Sequence, residues 1–172
     1  MLLKESELDN KDIIFPILGK PYKEPGKLLT VTGSTIYFVK ECTDLDGNPL
    51  PLKRDEMKAI FQRYEKGLML FFTKSNYQNA ILLDFESIEN IELKKGTETV
   101  SAWSSPILTI LMKMGFTMKS LRFFFFGLGF RVEETELVVR TKDYKIRMET
   151  NGFSFNSQVN YFNNLDLGDK FI

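Results

Sequence analysis

Three short stretches carry residues with the types and spacing of ligand-binding sites. "DLDGN" sets Asp44, Asp46 and Asn48 at alternate positions, as a calcium loop would. Gly47 comes too early, however, and the twelfth loop position holds Asp55 where a bidentate glutamate belongs. Its Asp, Gly, Asn and Pro content is that of a plain turn. "GKPYKEPGKL" has the outline of a phosphate loop, but Pro21 stands at the first glycine position and Leu28 at the magnesium-binding hydroxyl. "GLGFRV" opens like a dinucleotide fingerprint, with Val132 in place of its third glycine.

The residues that remain carry little further chemistry. Histidine is absent, which removes the commonest general base and the commonest metal ligand. One cysteine and no histidine cannot supply the four nitrogen or sulfur ligands of an ordinary zinc site. Cys42 has no imidazole to activate it and reads as a small side chain in a strand. The pairs Asp55 with Glu56 and Glu133 with Glu134 read as solvated faces. The expectation is therefore no enzyme, no cofactor and no metal.

Charge is informative only locally. The 23 basic and 23 acidic residues cancel, and a pI near 6.4 gives no reason to expect nucleic acid as a partner. Between Glu98 and Glu133, though, no acidic residue occurs, while Lys113, Lys119, Arg122 and Arg131 make that interval formally plus four. The rest of the chain is then minus four. The same interval contains the only tryptophan and six of the sixteen phenylalanines, including the run "RFFFFGLGF". Trp103, Ile107, Leu111, Lys113, Lys119, Arg122, Phe123 and Phe125 are the candidate contacts to a partner or to lipid. A membrane span is disfavoured, since each central charge costs about 2.5–3.5 kcal/mol. The alternatives are core or dimer interface, and an interfacial contact with anionic lipid.

These residues need a frame to hold them. At 172 residues the chain has the size of one domain. Residues 1–12 read as a flexible, solvated lead-in, 13–168 as the domain and 169–172 as a tail. Pro16 restricts "IIFPIL" to an edge strand or extended arm. Residues 28–41 read as two β segments about Gly33. In 53–66, Met57, Ile60, Phe61 and Tyr64 have the spacing of one helix face, and Gly67 follows as a stop. Strands are expected at 68–74 and from 80, and a second inserted helix at 104–114, behind Ser105 and Pro106. A long strand through 116–132 comes next, in which Phe124 and Phe126 face the core. "ELVVRTKDYKIRMET" predicts a hairpin turning at Lys142 and Asp143. Phe155, Val159 and Phe162 form the apolar stripe of a closing helix with Ser154 as its cap.

The order of "KGLMLFFTK", "AILLDFESIENIELKKG", the hairpin and "SFNSQVNYFNNL" resembles the pleckstrin-homology superfold, especially its bacterial and GRAM-like branches. In that family a strand opens with glycine, paired isoleucines follow a later turn, and one C-terminal helix plugs a bent barrel. Gly67, Ile88 with Ile91, and Phe155, Val159 and Phe162 match those roles. The resemblance implies an α+β, mainly β fold: an antiparallel bent barrel or two packed sheets, a C-terminal helix and two inserted helices. The headgroup-binding basic cluster of the family has no match, because Lys20, Lys23 and Lys27 have Glu24 among them. A non-catalytic binding or scaffolding module is expected, acting through a protein partner or as a homodimer. The alternatives are a peripheral adaptor on an anionic membrane surface and a small-molecule enzyme. With one cysteine and charges soon after the N-terminus, the expected location is the cytoplasm or the inner face of its membrane.

Overall fold

Strands with continuous apolar runs need cover on both faces, and residues 67–84 contain two such runs. In the computed structural model, which describes residues 1–23, 35–50, 57–100, 110–111, 113–117, 130–165 and 167–172, both faces are covered. Strands β1 (Leu2–Lys4), β2 (Tyr37–Asp44), β3 (Lys58–Arg63), β4 (Gly67–Lys74), β5 (Tyr77–Asp84) and β6 (Ile88–Lys94) come first. After β7 (Glu98–Val100) and β8 (Phe130–Val132) come β9 (Thr135–Thr141) and β10 (Tyr144–Thr150). Among the described residues, the α-helices longer than one turn are α1 (Lys11–Leu18) and α2 (Phe155–Asn163).

Eight strands form one antiparallel sheet in the order β1-β5-β4-β3-β2-β10-β9-β6, and β7 and β8 form a separate ribbon. The sheet is open, with β1 and β6 at its two ends, and not the closed barrel or sheet pair that the sequence suggested. Its two halves meet at β2, which pairs with β10 from Tyr144↔Asp44 to Glu149↔Phe38 but with β3 only at Tyr37 and Phe38. Both halves nevertheless supply one core: Leu68, Leu70 and Ile81 from one side, Ile91, Val139 and Met148 from the other. Tyr37, Phe61 and Phe162 run through it edge to face, with centroids 5.7 Å apart at each step.

The opposite faces of β4 and β5 are covered by α1. Ile14 and Leu18 pack with Met69, Ala80 and Leu82 in a second cluster. A helix here replaces the edge strand expected from Pro16. The Asn10 side chain accepts from Asp12 N at 3.0 Å and so caps the first turn. Pro16 lies in the second turn of an eight-residue helix, where its missing N–H removes a single bond to the carbonyl of Asp12. Gly67 sits beneath this helix: a Cβ there would collide with the Leu83 carbonyl and with the side chain of Leu18.

Residues 58–63 correct the expected helix at 53–66, whose part at 53–56 lies outside the described residues. Met57, Ala59 and Phe61 are all fully buried, so period two governs the segment. β3 pairs with β4 over six residues, and Gly67 opens β4 through the bond from Tyr64 N to its carbonyl, 2.9 Å long. Leu2–Lys4, assigned to the lead-in, pairs with β5, and Leu3 is fully buried. The hairpin at 135–150 forms as expected, with Lys145 opposite Arg140 and the turn at Lys142 and Asp143.

α2 also forms where expected, though Ser154 makes no side-chain cap bond. A 3-10 turn (Gly152–Ser154) leads into the helix instead, and Asn151 Oδ1 accepts from Phe153 N at 2.9 Å. Phe162 is fully buried, while Phe155 and Val159 pack on the core half-buried. Of the two expected β segments about Gly33 in 28–41, the first, from residue 28 up to Gly33, lies outside the described residues.

Candidate interaction surface

The basic, acid-free interval is mounted on the two-stranded ribbon. Glu98, Thr99 and Val100 pair with Val132, Arg131 and Phe130, which brings together the two ends of segment 101–129. The ribbon leaves the sheet between β6 and β9 and is held at its base by Glu133, whose N–H donates to Thr97 O at 3.0 Å. Gly152 packs against that base so closely that a Cβ would overlap the Glu133 carbonyl.

Within the segment, residues 110, 111 and 113–117 are described. They form one helical turn, with Met114 N donating to Ile110 O at 3.0 Å and Phe116 N to Leu111 O at 3.1 Å. Gly115 ends it at φ 88°. Ile110 is 57% exposed, Met114 68% and Phe116 49%, so three large apolar side chains on one short stretch face solvent. Of the predicted contacts, Leu111 is half-buried and Lys113 is exposed. Trp103, Ile107, Lys119, Arg122, Phe123 and Phe125 lie outside the described residues, as do Phe124, Phe126 and most of the expected helix at 104–114 and strand at 116–132.

Carboxylates gather beside the ribbon base. Glu134 lies two residues beyond the end of β8, and its carboxyl hydrogen-bonds to that of Glu149 on β10. Lys40 Nζ on β2 reaches Glu149 at 2.7 Å. Arg147 lies 3.6 Å from Glu136 and 4.0 Å from Glu41. The shared hydrogen bond holds the Glu134 carboxyl above the ordinary glutamate range and Glu149 below it, the latter helped by Lys40. Lys40 is raised in turn by its bond to Glu149. The sequence named Glu134 only as half of a solvated pair; its partner on β10 is set by the sheet register.

Two polar side chains lining one cleft, Asp84 and Thr141, serve local structure. That cleft, of about 240 Å³, is lined in part by Asp84, Ser87, Thr141 and Asp143. Asp84 Oδ1 accepts from Ser87 N at 2.7 Å, and Thr141 Oγ1 from Asp143 N at 3.2 Å and Tyr144 N at 2.9 Å, so each holds its own turn. Asp44 does the same for the 44–48 turn, accepting from Asn48 N at 2.7 Å. Among the described residues no group of three or more Cys, Asp or Glu could hold a metal ion, and no helix is long and apolar enough to cross a membrane.

No protein-family model, no curated protein and no solved structure matches this chain.

Proposed function

We propose that this chain is a non-catalytic binding module of pleckstrin-homology-like build that self-associates through the segment carried by the β7–β8 ribbon. The observation that carries this reading is the joint exposure of Ile110, Met114 and Phe116 beside Lys113. Such a group is unfavourable in water and gains by being covered. Charge supports a second copy as the cover. The interval is plus four, the remainder minus four, and the remainder places five carboxylates, Glu133, Glu134, Glu136, Glu149 and Glu41, about the ribbon base against the two cations Lys40 and Arg147. A basic, apolar segment on one copy therefore complements the acidic body of another. The pleckstrin-homology-like part of the reading is supported by the order of β2–β5, β6, β9 and β10 and by the single helix that follows them onto the core.

Sedimentation equilibrium of the full chain tests the proposal. A dimer that weakens with added salt is the expected result; a monomer at every concentration reached would overturn it. Lys113 beside the exposed apolar side chains supports a second reading, in which the segment enters an anionic bilayer surface, where each cation contributes about 1 kcal/mol. Flotation with phosphatidylserine vesicles at low salt separates the two. Lipid binding by a monomer selects the membrane adaptor.

A further inference from the structure

The β6 edge of the sheet is already met by an isolated parallel bridge from the chain's own residues 171–172. Ile172 N donates to Ile91 O at 2.9 Å, and Leu93 N donates to Ile172 O at 3.1 Å, so residues 171–172 run parallel to β6. One residue earlier, the Phe171 ring lies 5.4 Å from that of Phe162, tilted by 31°, in the angle between β6 and α2. Lys170 Nζ completes the contact by donating to Phe85 O at 2.7 Å. The edge therefore accepts main chain, the Phe162 surface accepts an aromatic ring, and the Phe85 carbonyl accepts a cation.

We infer that this groove is a strand-accepting site for a partner protein's extended segment with a basic residue followed by an aromatic one, and that residues 170–172 occupy it as an internal competitor. Two features make the occupant displaceable. Its hold comprises two backbone bonds, one side-chain bond and the packing of a single, only partly buried ring, Phe171, on the core, and Ile172 is 72% exposed and contributes little burial. It is also joined to the body through Gly168, whose φ of 57° is open to glycine at no steric cost. Main-chain pairing gives affinity in such a mode, and the side-chain positions give selectivity. The parallel direction follows from Phe171 and Ile91, and it fixes which end of a ligand lies near Phe85.

A tethered competitor acts at a roughly millimolar effective concentration, so an external segment binds weakly until the tether loosens. The test uses full-length protein and the synthetic peptide LGDKFI, which copies residues 167–172, with LGDKAI as control. Phe171→Ala is expected to bind LGDKFI at least about tenfold more tightly than the unaltered chain does. Amide shifts should change at Ile91–Leu93, and LGDKAI should bind less well. Phe171→Leu, which keeps an apolar group on Phe162, replaces the alanine variant if that variant does not fold. No binding by the folded variant, shift changes away from β6, or equal affinity for both peptides would overturn the inference and show the tail to be a fixed edge cover. None of these outcomes touches the ribbon, so self-association through residues 110–116 stands or falls separately.

Discussion

The hydroxyl of Tyr37 on β2 donates to Oε1 of Gln158 on α2 inside the core, a contact between residues 121 positions apart. Both side chains are buried, Tyr37 completely and Gln158 to 3% exposure, so neither can exchange its partner for water. Burial pushes the Tyr37 hydroxyl far above the ordinary tyrosine range, and it stays a neutral donor. Removing one partner leaves the other unsatisfied. Tyr37→Phe and Gln158→Leu are each expected to cost about 1–3 kcal/mol in urea denaturation. The double variant should cost clearly less than their sum. Additive losses would mean that the two groups are not coupled.

Phe162 separates core from margin on the same helix. It touches Phe61, Tyr161 and Phe171 and is fully buried, whereas Phe155 is only half-buried. Phe162→Ala should destabilise the chain by about 3–5 kcal/mol, and Phe155→Ala by visibly less. Equal losses in thermal unfolding would show that α2 is seated differently.

Much of this arrangement was legible in the sequence, and the exceptions have physical causes. The 135–150 hairpin and the stripe on α2 were readable because one face of each is apolar and a turn or cap punctuates it. Met57, Ile60, Phe61 and Tyr64 fit a helical period, yet Met57, Ala59 and Phe61 fit a strand as well. Ala59 decides the matter by being fully buried opposite Phe72 of β4, a pairing that no local pattern contains. Pro16 argued against a strand interior but not against a short helix capped by Asn10. Gln158 lies three residues after Phe155 and so on the same stripe; its polarity hid it until Tyr37 supplied a buried donor. The acidic patch at the ribbon base depends on β9–β10 and β10–β2 register, which spacing along the chain cannot express.

The Glu134 and Glu149 carboxyls should titrate in opposite directions from the ordinary value. Glu134, held up first by its hydrogen bond to Glu149, contributes stability below its unfolded-state value and loses it as pH rises through its folded one. Glu149, held down by Glu134 and Lys40, contributes above its unfolded-state value and loses it as pH falls through its folded one. Carboxyl carbon shifts followed by NMR across the acid range would resolve the two steps, which belong to the pair. Glu134→Gln keeps a donor for Glu149 and should leave its midpoint low, while Lys40→Met should raise it. An unchanged Glu149 midpoint in Lys40→Met would remove the lysine from the network.

Stability and association should part company at residues 110–116. Ile110 and Met114 are mostly exposed, so replacing both with serine removes little buried surface, and the unfolding free energy should move by no more than about 0.5 kcal/mol per site. The same double variant takes away the apolar group proposed to dock, and its dimer dissociation constant should rise by about tenfold or more. Lys113→Glu introduces an acid into an interval that has none and sets it against the carboxylates at Glu134 and Glu136 of a second copy. Like charges brought together at an interface weaken association, mainly through the on-rate and at low salt. Sedimentation at two ionic strengths therefore distinguishes the apolar contribution, which salt leaves in place, from the charged one, which salt screens. A dimer unaffected by either change would assign self-association to some other surface, with the exposed turn left to lipid.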